Sequence, residues 1–280
     1  VKRLPYLIGD FMWTAWDYIG ECGIGGWYYG QPGEKPAYIK DYPWKLSCAG
    51  AIDLLGYPTG EALLAAAVWK TDEPRPFVGV EPVTDKTLFK AVWRGTNSIP
   101  SWSWKGCDGL PAHVEVYTRL PKVELFVNGK KMGEQSVKHC VARFENVTYQ
   151  PGELKAVAID EKGHRYSRTL HSATGTTRLR LRQEPSVTTS GEGNIVFVDV
   201  DLVGKNGEVV ANDDRQLQAH VQGGELIGFG SASPITEDNF TTGRYTSYQG
   251  HALAVVRFTG GSAELTVEGE GLATAKLKLE

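Results

Sequence analysis

The chain has 280 residues, 41% of them apolar and 22% charged, a globular balance that excludes disorder and collagen. A net charge of −3 leaves no basic excess to neutralise phosphates, so nucleic acid is not an expected partner. No stretch approaches the roughly 18 consecutive apolar residues that a membrane-spanning helix needs, so no membrane span is expected. Charge and aromatic residues are nonetheless unevenly spread. Residues 1–74, 75–173 and 174–280 carry −3, +5 and −5, and all eight Trp fall before residue 105. The lysines of the middle third are scattered through hairpins, a pattern that protects solvated strand edges.

Val1-Lys2-Arg3-Leu4-Pro5 carries neither an initiator Met nor the apolar core of a signal peptide, which reads as a chain cut from something longer, its compartment unreadable. Residues 6–18 are nearly continuously apolar and of strand length, the pattern of a strand buried on both faces. Two-residue alternation then puts Trp13 and Asp17 on one face and Trp16 and Tyr18 on the other. A glycine-rich, aromatic loop follows from Gly20 to Gly30, with Trp27, Tyr28 and Tyr29 placed either to rim a site or to pack on a neighbouring domain. A helix is predicted over 59–70. Thr59 is its cap, Glu61 sits in the first turn, and Leu63, Leu64, Ala67 and Val68 form the apolar stripe. The polar, proline-punctuated run Thr71-Asp72-Glu73-Pro74-Arg75-Pro76 reads as a domain junction.

From about 77 to 172 the sequence becomes short alternating runs at 114–117, 123–127 and 154–159. They are separated by the turn signals Asn128-Gly129 and Lys162-Gly163, of which the first is the stronger because both centres of a type I′ turn need positive φ. That spacing predicts an antiparallel sandwich. A second set at 195–200, 252–258 and 273–279, with an Asn206-Gly207 hairpin, predicts another. Trp93, Trp102 and Trp104, flanking Ser101 and Ser103, form either a carbohydrate platform or a packed loop. Cys22, Cys48, Cys107 and Cys140 lack metal-ligand or redox spacing, so no metal and no cofactor are expected. Asn146-Val147-Thr148 and Asn239-Phe240-Thr241 match the glycosylation acceptor pattern as chance matches of a short motif do.

The first block cannot close a core by itself and reads like the end of a larger fold. The string from Gly9 to Glu21 (Gly-Asp-Phe-Met-Trp-Thr-Ala-Trp-Asp-Tyr-Ile-Gly-Glu), followed by Ala51-Ile52-Asp53-Leu54-Leu55-Gly56-Tyr57-Pro58, resembles the last strand and following loop of the catalytic (β/α)₈ barrel in family 2 glycoside hydrolases, the β-galactosidase group. Val123-Glu124-Leu125-Phe126-Val127-Asn128-Gly129-Lys130 and Tyr149-Gln150-Pro151-Gly152-Glu153-Leu154 resemble the immunoglobulin-like domain that follows that barrel. Gly223-Gly224-Glu225-Leu226-Ile227-Gly228-Phe229-Gly230 resembles the next C-terminal sandwich. The resemblance implies a mainly β fold of two immunoglobulin-like antiparallel β-sandwiches, preceded by a (β/α)₈-barrel C-terminal remnant with one helix. Its boundaries are 1–74 for the remnant, 75–173 for the first sandwich and 174–280 for the second.

A retaining glycosidase needs two carboxyl groups about 5–5.5 Å apart. The resemblance places both before Val1, so no catalytic residue is expected in this chain. Glu21, the glutamate nearest the aromatic cluster, lacks a partner carboxylate. The resemblance assigns Trp13 to the sugar subsite, and Asp17, on the same face by alternation, becomes a second substrate-binding candidate. The implied partner is a carbohydrate, a β-galactoside or related glycan, bound by a longer parent that hydrolyses terminal β-glycosides. This segment would be inactive alone, and its exposed apolar surface would favour a homo-oligomer. The alternative is a non-catalytic carbohydrate-binding or adhesion module.

Overall fold

In Lys122–Val127 every second residue is apolar and the residues between are charged or half-exposed, so the segment can bury one face only by joining a sheet. The same arithmetic recurs along the chain and builds four of its five sheets. The computed structural model describes residues 4–9, 11–30, 40–70, 72–190, 193–258 and 261–279, with the main chain alone at 186–190.

In chain order the first elements are β1 (Tyr28–Gly30), α1 (Gly60–Trp69), β2 (Phe77–Val80) and β3 (Thr87–Phe89). There follow β4 (Pro111–Tyr117), β5 (Lys122–Val127), β6 (Lys130–Ser136), β7 (Val141–Thr148), β8 (Glu153–Ile159) and β9 (Arg165–His171). The antiparallel sheets β2-β4-β7 and β6-β5-β8-β9 face each other over one core, which includes Val80, Trp102, Val116, Leu125, Leu154 and Ala156. The turn between β5 and β6 is the expected two-residue one, with Asn128 at φ 49° and Gly129 at φ 78°. Lys162-Gly163 lies in the turn between β8 and β9.

The second set comprises β10 (Arg178–Ser190), β11 (Gly193–Val203), β12 (Gln216–Gln222) and β13 (Glu225–Gly230). It continues with β14 (Arg244–Thr246), β15 (His251–Phe258), β16 (Ala263–Gly269) and β17 (Ala275–Leu279). Sheets β10-β11-β15-β13 and β14-β12-β16-β17 enclose a second core that includes Val198, Val200, Phe229, Tyr245, Val256 and Leu265. Asn206-Gly207 makes a tight reversal closed by a single bridge between Val203 and Val209, and the two-strand hairpin expected there is not formed. Asn206 uses its side chain to tie the two sets together, donating from Nδ2 to the Ser172 carbonyl at 2.9 Å.

The helix forms as predicted, with Leu63 and Ala67 buried against Tyr117 and Val141. Thr59 does occupy the cap position, but its hydroxyl donates to the Ala51 carbonyl at 2.8 Å and caps nothing. Gly60 lies so close to the first sandwich that a Cβ there would stand 2.3 Å from both Ser98 Oγ and Tyr117 Oη.

The buried strand expected over 6–18 is not found among the described residues, and Asp10 lies outside them. Its apolar side chains face solvent instead, with Ile8 and Phe11 fully exposed and Met12, Trp13, Trp16 and Ile19 more than half exposed. The physical reason is the lack of partners: a strand apolar on both faces needs cover on both. Among the described residues its main-chain bridges run to 46–52, Trp16 with Ile52 and Ile19 with Leu46, and the Trp16 indole donates to the Leu54 carbonyl at 3.2 Å. Of Trp93, Trp102 and Trp104, Trp93 is half exposed, whereas the last two follow the packed-loop alternative. Both are buried in the core of the first sandwich, and Trp102 Nε1 donates to the Gln150 carbonyl at 3.1 Å.

Candidate functional site

Residues 14–18 lie along 47–52 through main-chain hydrogen bonds, among them Thr14 N–H to Ala49 O at 3.1 Å, Ala51 N–H to Thr14 O at 2.9 Å and Asp17 N–H to Ile52 O at 2.9 Å. Gly50 permits this approach: a Cβ there would sit 2.3 Å from the Asp17 nitrogen and 2.5 Å from the Ile52 oxygen. The pairing separates the two residues that alternation had placed together. Asp17 turns inward and is 8% exposed, whereas Trp13 stands 66% exposed. The Trp13 indole donates to Tyr18 Oη at 3.0 Å and the rings meet edge to face with centroids 6.1 Å apart, although alternation had put Tyr18 on the opposite face. Tyr18 in turn donates to Glu21, so Trp13, Tyr18 and Glu21 form one exposed chain of contacts.

Asp17 borders a cleft of about 690 Å³ where the first sixty residues meet both sandwiches. The walls are locked by polar seams. Lys45 donates its main-chain N–H to Pro234 O at 2.8 Å and its Nζ to Asp238 O at 2.6 Å. Lys105 N–H donates to Asn212 Oδ1 at 2.7 Å, and Asn212 Nδ2 donates to Lys105 O at 2.9 Å. Trp27, Tyr28, Tyr29, Trp44, Trp104 and Tyr248 supply the aromatic lining. Tyr28 is stacked on Phe89, with centroids 4.8 Å apart, because β1 pairs with β3. Tyr29 Oη accepts from Asn97 Nδ2 at 2.8 Å. The loop aromatics thus do both things the sequence allowed, rimming a cleft and packing on the neighbouring domain.

Burial raises the Asp17 carboxyl above its ordinary range, against the backbone N–H groups of Tyr18 and Gly50 and the charge of Arg94, which lower it. Burial likewise pushes the Cys48 thiol, also at the cleft, up to about 12, so it is protonated at neutral pH. All four cysteines are free, and among the described residues no group of His, Cys, Asp and Glu is arranged to hold a metal ion. No described helix is long and apolar enough to cross a membrane.

A second polar cluster fixes the first block to the second sandwich. Tyr57 stacks on His251 with centroids 3.7 Å apart and donates from Oη to Asp201 Oδ1 at 3.4 Å, while His251 Nδ1 lies 2.8 Å from the same oxygen. Burial alone would raise Asp201, but the hydrogen bonds and charges of His251 and Arg180 outweigh it and hold the carboxyl low. Asp199, two residues away on β11 and paired with Arg182, is pushed up to about 6 by burial and by the Glu184 carboxyl. Sequence reading named Asp17 and the loop aromatics but not the cleft they share, and it missed the second cluster. The members of the two are spread from Asp17 to His251, and only the alternation of Asp199 and Asp201 with valines on one strand hinted that these acids face something other than water.

Residues 179–278 match the model of the glycoside hydrolase family 2 C-terminal domain 5, and residues 109–167 match a domain of unknown function, DUF4982. The structure is similar to a glycosyl hydrolase family 2 member from Bacteroides cellulosilyticus, with a TM-score of 0.84 and 26% identity over 99% of this chain and 36% of that one. A β-glycosidase from Bacteroides vulgatus shares the fold, at TM-score 0.73 and 22% identity over 100% of this chain and 31% of its own. These matches support a C-terminal segment of a family 2 glycoside hydrolase. In sequence the chain is 26% identical to the β-galactosidase BoGH2A of Bacteroides ovatus over 100% of its length and 29% of that protein. Residues 179–278 carry the family 2 C-terminal domain, the similarity to family 2 members extends over the whole chain, and the chain spans about a third of the length of these relatives.

Proposed function

We propose that the chain is the C-terminal segment of a retaining β-glycosidase of the β-galactosidase type, with boundaries at 1–74, 75–173 and 174–280. In this reading the first block completes a catalytic barrel and the two sandwiches brace it without supplying a catalytic residue. The observation that carries the reading is the exposed face of residues 4–19, where Ile8, Phe11, Met12, Trp13, Trp16 and Ile19 stand in solvent while the sandwiches behind them are fully cored. Large apolar side chains exposed in such number call for cover, and preceding barrel strands are the cover the family provides. Trp13 presents a flat apolar surface of the sort that receives the C–H face of a pyranose, and its bond to Tyr18 fixes the ring plane. Asp17 sets the course of the chain behind Trp13 through its pairing with Ile52.

The test is Trp13→Ala and Trp13→Phe in the longer polypeptide that carries this chain behind a barrel, assayed on aryl β-galactosides. Loss of a stacking face costs about 1–3 kcal/mol, or roughly 5–150-fold in kcat/KM, with partial rescue by Phe. Unchanged kcat/KM in Trp13→Ala would remove Trp13 from the site. Of the three tryptophans of the carbohydrate-platform alternative, Trp102 and Trp104 are buried, which leaves Trp93 as a lone exposed ring rather than a platform.

A further inference from the structure

Glu21 stands at φ 44°, in the left-handed region that glycine enters freely and other residues enter at a conformational cost. Gly20 and Gly23, at φ 114° and 70°, show the residue this turn ordinarily takes. A long charged side chain kept where glycine suits the backbone points to a contact that offsets the strain. That contact is with Tyr18, whose hydroxyl donates to Glu21 while its oxygen accepts from the Trp13 indole at 3.0 Å. An indole N–H only donates and a carboxylate only accepts, so the three groups pair in one direction alone, from Trp13 through Tyr18 to Glu21. Glu21 takes the single phenol proton, which leaves the Tyr18 lone pairs to Trp13, and each bond strengthens the other by polarisation. The loop that carries Glu21 is pinned from behind. Gly20 N–H donates to Lys45 O at 2.9 Å, Gly23 N–H to Leu46 O at 2.8 Å, and Ser47 N–H to Tyr18 O at 3.0 Å. Lys45 is bound in turn to Pro234 and Asp238 of the second sandwich, so an unbroken run of contacts leads from that sandwich to the ring of Trp13.

We propose that Glu21 is a positioning residue for Trp13: acting through Tyr18, from a loop pinned to the second sandwich, it fixes the plane of the indole. The proposal rests on the reading of Trp13 as the ring that meets substrate. It requires no partner carboxylate and no proton transfer, which accounts for a glutamate beside the aromatic cluster without making it an acid or a nucleophile. It also gives the second sandwich a part in the site, exerted through the seam at Lys45.

The diagnostic variant is Glu21→Gly, which removes the side chain and suits φ 44°, so the loop and the melting temperature should hold within a few degrees. The first readout is solvent exchange of the Trp13 indole N–H, followed by NMR in the 280-residue chain and assigned through Trp13→Phe. Exchange should accelerate at least about threefold in Glu21→Gly, as expected when a hydrogen bond is weakened. Tyr18→Phe, which removes the acceptor itself, should accelerate it at least as much. Glu21→Gln, which keeps an acceptor oxygen at the same reach, should stay near the parent. The second readout is kcat/KM on aryl β-galactosides in the longer polypeptide that carries this chain behind a barrel. It should fall about two- to tenfold in Glu21→Gly, the range of one hydrogen bond, with most of the loss restored by Glu21→Gln. Adding Tyr18→Phe to Glu21→Gly should cost less than the two single losses combined, because both act on one ring. Indole exchange unchanged in both Glu21→Gly and Tyr18→Phe would overturn the proposal. So would unchanged kcat/KM in Glu21→Gly where Trp13→Ala lowers it, a result that leaves the reading of Trp13 standing. Unchanged kcat/KM in Trp13→Ala would instead remove that reading and the proposal with it.

Discussion

Trp102→Ala separates a core role from a ligand-binding role for the aromatic cluster of the first sandwich. The indole is 0% exposed, packs on Tyr149 with centroids 4.7 Å apart and donates to the Gln150 carbonyl. A fully buried aromatic side chain removes roughly 150–250 Å² from water, which at about 25 cal/mol/Å² corresponds to about 4–6 kcal/mol as an upper bound. Core Trp→Ala substitutions cost about 3–5 kcal/mol, so about 4 kcal/mol is expected. For a sandwich of this size that lowers the melting temperature by about 15–30 °C. Trp102→Phe, which keeps much of the packing and loses the bond to Gln150, should fall between. The assay is calorimetric melting of both variants beside the parent chain, with retention on immobilised glycan as a second readout. Unchanged melting together with lost glycan retention would refute the reasoning, because it would make Trp102 a surface contact.

The remaining predictions address how the first block is held. Gly50→Ala forces a Cβ against the Asp17 nitrogen and the Ile52 oxygen, so the pairing of 14–18 with 47–52 should open. The measurement is amide hydrogen exchange at Asp17 and Ile52, which should accelerate in the variant while both sandwich cores stay protected, and equal protection in parent and variant would count against the close approach. Asp199, raised from 3.8 to about 6, binds a proton more tightly in the folded chain, so its contribution to stability falls as pH rises between those values and is flat above them. The melting-temperature difference between parent and Asp199→Asn should therefore favour the parent most at the acid end and shrink towards neutrality. A difference that grows with pH would mean that the Arg182 pair dominates. Tyr57→Ala removes the stack on His251 and should cost about 1–3 kcal/mol of docking energy, read as earlier proteolysis of residues 1–58 in the variant, and an unaltered digestion rate would show that the seams at Lys45 carry the docking by themselves.

The two sandwiches were legible because alternation is a local signal. In β5 the buried positions Val123, Leu125 and Val127 can be read off the sequence, and Asn128-Gly129 supplies the turn. The first block was legible as composition and resemblance, but its conformation was not. Residues 6–18 are as apolar as a buried strand, yet what a strand does depends on its neighbours, and here Gly50 and the 46–52 run set the path. Alternation therefore failed to predict that Trp13 meets Tyr18 and that Asp17 turns away. The cleft was illegible for another reason. Asp17, Arg94, Asn97 and Asp214 share no spacing, and the folding of both sandwiches against the first block brings them around one cleft.

Trp102 and Trp104 show how burial decides between two alternatives that the sequence leaves open. Flanked by serines and Trp-rich, they carry the composition of a binding loop, but the loop passes under the first sandwich and its indoles fill the core. Burial is a property of the neighbours, and no feature of residues 101–104 announces it.

The most direct test of the account is hydrolysis of chromogenic aryl β-galactosides, glucosides and glucuronides by the purified 280-residue chain. The account places no catalytic carboxylate pair in the chain, so it predicts no turnover of any of the three in a folded, cored preparation. Turnover abolished by Glu21→Gln would contradict it, placing the chemistry beside Trp13 and Tyr18 within the chain itself.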